Sequence, residues 1–224
     1  MFRKQTDNII VLREIKYKDD YSLYEVFSEH HGKTTYGFRH TKSKKGQAVR
    51  LKLRPSYLLE VEYLQSSRFY PRIVSASYRV LYRSIPFDLR KTAIATFMTE
   101  ILQTVVRGTD PSLFRETEKE FVRLDAGIYH PDFHLHFLKN LAFRLGILPP
   151  EPEKGIIFAF ENAGNTVKTE ESVRHFFQTG KTRNKEERKL LTEWWLQYMA
   201  YHTEDFRFPR SHEIFSEILG LSNG

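Results

Sequence analysis

The chain has 224 residues, 40% of them hydrophobic and 14% aromatic, which is enough apolar content for one large folded domain or two small ones and too much for a disordered polymer. It contains no cysteine, which excludes disulfides, cysteine-ligated zinc, iron–sulfur clusters and thiol catalysis. The net charge of +7 is unevenly divided: residues 1–85 hold 17 Lys/Arg against 8 Asp/Glu, whereas residues 86–224 hold 18 against 20, so the basic part alone is suited to a polyanion.

The first residues, MFRKQTDNIIVLREIKY, lack the apolar core of a signal peptide, and nowhere do 18 apolar residues run together. A soluble cytoplasmic protein without membrane contact is therefore expected. Asn8–Tyr17 is β-branched and aromatic and reads as a first strand, with Lys18-Asp19-Asp20 as its turn. Tyr21–Glu29 reads as a second strand and Thr34–Phe38 as a third, the two joined by His30-His31-Gly32-Lys33. The segment Arg39–Arg54 follows. It carries Arg39, Lys42, Lys44, Lys45, Arg50, Lys52 and Arg54 and no acid. Its first half, with Ser43 and Gly46, reads as a mobile basic loop. Its second half, Arg50-Leu51-Lys52-Leu53-Arg54, alternates and reads as a strand.

A fourth strand places Tyr57, Leu59, Val61 and Tyr63 on one face and Glu60 and Glu62 on the other. Phe69–Val80 reads as a fifth, with Pro71 pushing its first residues to an edge. Five short strands in about 80 residues suit a small barrel. An SH3-like barrel has a similar strand count, and the basic loop after the third strand favours the oligonucleotide-binding (OB) fold.

After Pro86 the apolar period becomes helical. Ile94, Phe97, Met98, Ile101, Leu102, Val105 and Val106 form a wide stripe from a start at Asp88 to a stop at Gly108. Asp110-Pro111 opens a second helix to about Asp125, and Pro131 a third that stops at Gly146. Gly155–Val167 suggests a short hairpin, and Thr169 a cap for a short helix with Val173, Phe176 and Phe177. Asn184 with Glu187 resembles a capping box ahead of a helix burying Leu191, Trp194, Trp195 and Tyr198. Ser211–Leu219 reads as a last helix.

Cations that track a phosphate backbone, beside aromatic rings on which bases stack, are the requirement for holding a single strand. The seven cations of Arg39–Arg54 supply the first, and Lys33 adds weakly to them; a solvated charge run is the alternative. Tyr36 and Phe38 share a face of the third strand. They either stack bases or, the more weighted reading, fill the barrel. Arg90 and Lys91, in the first turn of the long helix, extend the candidate DNA surface, with simple solvated charges as the alternative. His130, His134 and His136 make a poor metal set, because His134 and His136 point about 200° apart on a helix. No phosphate-binding loop, HExxH or GxSxG is present.

The order of parts resembles the RecO family, bacterial recombination mediators of the RecF pathway. The residues that carry the likeness are Ile10–Tyr17, Phe27–Lys33, Tyr36–Arg39 with Lys42-Ser43, Leu53-Arg54-Pro55 ahead of Leu58–Val61, Ser84–Lys91, and Phe133-His134-Leu135 through Leu145-Gly146. The resemblance implies an α+β chain: an OB-fold barrel over 1–82, then a helical domain over 83–224 with the possible hairpin near 155–167. Many such proteins hold a four-cysteine zinc site after the third helix. Its absence here matches a zinc-free branch, with no metal and no cofactor expected. The resemblance further implies a non-enzymatic protein that binds single- and double-stranded DNA and anneals complementary strands. Its implied partners are the C-terminal tail of single-stranded-DNA-binding protein (SSB), RecR and, indirectly, RecA, in the bacterial nucleoid. A generic OB-fold RNA binder and a metal-dependent nuclease are the competing readings.

Overall fold

The period-two segments at the N-terminus close on themselves. In a computed structural model, which describes residues 4–65, 69–149 and 166–211, β1 (Lys4–Lys18), β2 (Tyr21–Ser28), β3 (Gly32–Arg39), β4 (Leu58–Leu64) and β5 (Arg72–Tyr78) form a barrel in the order β1-β2-β3-β5-β4. β1 is long enough to pair along β2 at one end and β4 at the other, with Ile9 opposite both Ser28 and Leu59. The last seam, β3 to β5, is parallel and short. It consists of the pair Gly37–Arg72, supported by the Gly37 amide donating to the Pro71 carbonyl at 2.8 Å. This is the five-stranded OB-fold barrel.

Inward-pointing residues fill the barrel: Ile9, Val11, Tyr24, Val26, Tyr36, Phe38, Leu59, Val61, Tyr63 and Ile73 are all buried there. Their spacing by two is the alternation of the strands. One end is plugged by Val49 and Leu53, and here the structure corrects the sequence reading. Lys44–Lys52 is a helix, α1, not a mobile loop running into a strand. Ser43 caps it by accepting from the Gly46 amide. Val49 and Leu53 are four apart, so one helix face carries both. The alternation over Arg50–Arg54 is too short to outweigh that i, i+4 pair, and Lys, Arg, Leu, Gln and Ala are good helix formers.

The helical part comprises α2 (Leu89–Val105), α3 (Pro111–Ala126), α4 (Phe133–Arg144), α5 (Thr166–Thr179) and α6 (Lys185–His202). Asp88, Asp110 and Asn184 cap α2, α3 and α6 through their side chains, accepting from the amides of Arg90, Leu113 and Glu187. α4 ends at Gly146, whose φ of 71° suits glycine, with Ile147 N–H donating to the Ala142 carbonyl and Gly146 N–H to that of Phe143. α2 is central: Ile94, Phe97, Met98, Ile101 and Leu102 are fully buried. The hairpin expected over 155–167 lies outside the described residues, save that Thr166 and Val167 begin α5. All but Ser211 of the last expected helix lies outside them too.

The barrel is not simply tethered to the helices. Ile10, Leu12, Phe27 and Leu58, on its outer wall, belong to the same apolar cluster as α2, and Phe27 meets Phe114 of α3 edge-on at 5.3 Å. Polar bonds pin the same interface. Gln103 Nε2 donates to the Leu12 carbonyl, Ser56 Oγ meets Thr99 Oγ1 at 2.8 Å, and Arg115 donates to the buried Glu29. Gly32, at φ 65°, lies so close to Gly108 that an added Cβ would sit 2.3 Å from its carbonyl oxygen.

Lys91 is not on the surface, contrary to its expected place in a DNA-binding face. It is only 5% exposed, and its ammonium donates to Ser84 Oγ and to the carbonyls of Asp125 and Gly127, using all three of its donors. Beside it the Asp125 carboxylate accepts from the amides of Arg83, Ser84 and Ile85, the segment between β5 and α2. Burial alone would raise the Asp125 pKa, but these amide bonds outweigh it and the net shift is downward. Asp125→Ala should cost about 2–4 kcal/mol at neutral pH, because three backbone donors lose a charged acceptor. A depressed carboxyl stabilises fully above its unfolded pKa of about 3.9 and loses that contribution as pH falls through its lower folded value. Urea melts of the two proteins should therefore differ at pH 7 and converge in strong acid.

Candidate nucleic-acid interface

The outer face of β2 and β3 is left open where the barrel meets its first and last loops. A cleft of about 1100 Å³ lies there, lined by Tyr17, Lys18, Tyr21, Leu23, Thr35, Arg39, Phe69, Tyr70 and Arg72 among others. Its walls are the β1–β2 turn and the segment leading into β5. In OB-folds, this strand 2–3 face with these two loops is where oligonucleotides bind.

Each side chain has a local reason for its position. Strand alternation aims Tyr21 and Leu23 away from the barrel core, opposite Arg39 and Gly37 of β3. Gly37 has no side chain, and the Tyr21 hydroxyl takes the space: a Cβ there would lie 2.0 Å from it. The β3–β5 seam sets Arg72 beside Gly37, so Arg39 and Arg72 flank the Tyr21 ring. Burial raises the Tyr21 pKa, and the positive charges of Arg72 and then Arg39 oppose it. Tyr17 meets Tyr21 edge-on at 6.3 Å, with the Lys18 ammonium 5.5 Å from the Tyr17 ring centre. Pro71 ends the loop before β5, leaving Phe69 and Tyr70 off the strand, 79% and 51% exposed. Tyr17 is 60% exposed. Such exposure of three large rings around three cations is unusual for a solvated surface and is what base stacking requires.

Of the residues singled out from sequence, Arg39 alone lines this cleft. It is exposed and ion-paired with Asp20 at 3.2 Å, a weak pair that a phosphate can replace. Lys42, Lys44, Lys45, Arg50 and Arg54 are exposed on α1 and its flanks, outside the cleft lining. Lys52 donates to the Ala76 carbonyl and sits over Tyr78. Lys33 is engaged by Glu25 at 3.1 Å and by the Gln103 carbonyl. Tyr36 and Phe38 are core residues and present no stacking face. The Tyr36 hydroxyl donates to the buried Asp7, and its ring meets Tyr63. Arg90 is exposed, held by Asp88 and stacked 4.3 Å from the Tyr129 ring centre.

The cleft residues missed in the sequence are Tyr17, Lys18, Tyr21, Phe69, Tyr70 and Arg72. Their signal was present as Tyr17-Lys18 and Phe69-Tyr70-Pro71-Arg72, aromatic residues interleaved with cations beside turns. Assigning Phe69 and Tyr70 to a strand hid it. Among the described residues no three metal-ligating side chains cluster. His134 is buried against Thr192, and His136 bonds the Gly180 carbonyl. No described helix is long and apolar enough to cross a membrane.

No family model matches the sequence. Curated relatives do. A DNA repair protein RecO of Bacteroides fragilis is 32% identical over 145 residues, covering 62% of this chain and 60% of its own length. A DNA repair protein RecO of Phocaeicola vulgatus is 25% identical over 237 residues, covering 93% of this chain and 96% of its own length. One of Flavobacterium psychrophilum is 24% identical over 229 residues with the same two coverages, 93% and 96%. The matched stretch with Bacteroides thus spans less than two thirds of that relative, while the others run nearly end to end. With an OB-fold barrel joined to a helical body, the chain is similar over nearly its whole length to several bacterial proteins that carry the one name DNA repair protein RecO.

Proposed function

We propose that the protein is a non-enzymatic DNA-binding mediator of recombinational repair, holding single strands in the cleft over β2 and β3. The observation that carries this reading is the cleft itself, where Tyr17, Phe69 and Tyr70 are exposed among Lys18, Arg39 and Arg72. Bases stack on the rings and the cations follow the backbone. The cations of α1 add long-range attraction to the same polyanion. The repair role of its relatives supports DNA over RNA as the ligand.

Binding of an oligothymidylate should weaken linearly with log salt. Replacing Arg39 and Arg72 together by Ala should lower the slope by about 1.4, from roughly 0.7 per phosphate contact on a single strand. The Lys42, Lys44 and Lys45 triple variant should lower it less, since those residues lie outside the cleft. An unchanged slope in a folded Arg39/Arg72 variant would move the site elsewhere. Annealing of complementary strands in EDTA without nucleotide separates the proposal from a metal-dependent nuclease. Tighter binding of DNA than of RNA of the same sequence separates it from an RNA binder.

The helical body is proposed as the protein-contact half. A cleft of about 310 Å³ between α3 and α4 has Leu113, Phe137 and Leu141 at its floor and Arg123 and Arg144 at its rim. Apolar floor and basic rim suit a short acidic, aromatic-ended peptide such as the SSB tail. That tail would displace Glu120 and Glu116, which pair with Arg123 and Arg144 at 3.1 and 3.4 Å. Cooperation with RecR in loading RecA completes the proposed role.

A further inference from the structure

A second cleft opens where the barrel meets the helical body. It measures about 410 Å³ and is lined by Arg13, Glu25 and Lys33 of the barrel, by Glu100, Gln103 and Thr104 of α2, by Arg107 just past its end, and by residues 205 and 207–210. Its five cations face three carboxylates. Glu25 is already neutralised inside the wall, with Arg13 at 2.6 Å and Lys33 at 3.1 Å. Glu100 is occupied by the amide and hydroxyl of Ser211. Among the described residues, Arg107, Arg207 and Arg210 pair with no carboxylate, and all three are exposed. Arg107 is instead fixed in direction by its bond to the Glu204 carbonyl.

The two clefts abut. Thr35 lines the aromatic cleft and Glu25 lines the basic one, and they are directly opposite each other across β2 and β3. Leu23 and Glu25, two apart on β2 and so on one face, make the same step along the strand. A chain lying in the aromatic cleft parallel to β2 passes from Tyr21 to Glu25, about 14 Å at 3.4 Å per strand residue, and so enters the cleft that Arg107, Arg207 and Arg210 line. The basic cleft has one exposed aromatic, Phe208, against three in the first. It offers charge rather than stacking platforms. Arginine forks suit phosphate oxygens.

We infer that the cleft lined by Arg107, Arg207 and Arg210 is a phosphate-binding exit track, on which the helical body grips the backbone of the single strand leaving the barrel. This rests on the DNA-binding reading of the barrel cleft. It makes the helical body part of the DNA site, and the fixed barrel–helix interface sets the angle between the two halves.

The test is binding of an oligothymidylate series to the full chain by fluorescence anisotropy across a salt range. Oligonucleotides of about 4–6 nucleotides fill the barrel cleft alone, and those of about 16 or more reach both, given the known range of about 4–16 nucleotides per OB-fold. The Arg107→Ala, Arg207→Ala, Arg210→Ala variant should bind the short ones as the parent does. On the long ones its salt slope should fall by about 2, for three lost phosphate contacts. Should that variant fail to fold, Arg207→Glu with Arg210→Glu leaves the Arg107 bond intact and gives the same readout. The inference is overturned if a folded variant keeps the parental slope on long strands, or loses short and long binding equally. It is also overturned if the variant loses only capture of a poly-glutamate peptide, which would make the cleft a site for an acidic protein segment. If the parent binds neither length, the barrel reading itself fails, and that result is distinct from all of these.

Discussion

Replacing Tyr17, Phe69 and Tyr70 by Ala should abolish measurable single-strand binding while leaving the fold intact. Each ring, stripped from a stacked base, should cost about 1–3 kcal/mol, so even partial additivity removes two or more orders of magnitude of affinity. All three rings are largely exposed, and Tyr17 lies at the end of β1, so stability should change little. The salt slope is the second readout. It should stay near the parental value at any residual affinity, because the cations remain. Fluorescence titration with circular dichroism as the fold control measures both. If the triple variant bound as the parent does, the rings would be idle and the cleft would act by charge alone.

The largest effect on stability is expected at Phe97. Its ring is fully buried in α2, beside His134 of α4 at 6.0 Å. Phe97→Ala should cost about 3–5 kcal/mol, the usual loss for a buried Phe with its residual cavity. The cluster holding Phe97 also holds Ile10, Leu12 and Phe27 of the barrel wall. Loosening α2 therefore removes support from the outer strands as well as from the helices. Chemical denaturation should show one lowered transition reported alike by the tryptophans, which sit in α6, and by barrel amides. A barrel that kept its parental midpoint while the tryptophan signal shifted would show that the shared cluster does not couple the two halves.

The strands and the long helices were legible because their cores repeat with the backbone's own period. Leu59, Val61 and Tyr63 alternate into the barrel, and Ile94 to Val106 steps around α2. Capping residues fixed the starts of α2, α3 and α6 for the same reason: an Asp or Asn before an apolar stripe has a local job. α1 was not legible. It buries only Val49 and Leu53 among strong cations, and a two-residue face carries too little pattern to separate helix from strand.

The candidate site was half legible. The excess of positive charge in the barrel region is a sum over residues, so sequence gives it directly. Which cations converge is a property of the closed sheet. Arg39 and Arg72, 33 positions apart, come together only because β5 returns to β3. Lys91 misled for the opposite reason. Nothing in its neighbours announces that three oxygens, two of them backbone carbonyls from the end of α3, surround it.

The closing seam of the barrel has a consequence of its own. Where the other strand pairs zip along six to eight residues, β3 meets β5 through one residue pair and one flanking amide bond. Short pairing at a sheet margin is where local opening takes least free energy. That margin carries Arg39 on one lip and Arg72 on the other. A strand whose phosphates bridge the two lips latches them, so occupancy and closure reinforce each other by linkage. On the proposed DNA-binding reading, the empty barrel should open most readily at this edge, and a bound strand should fasten it.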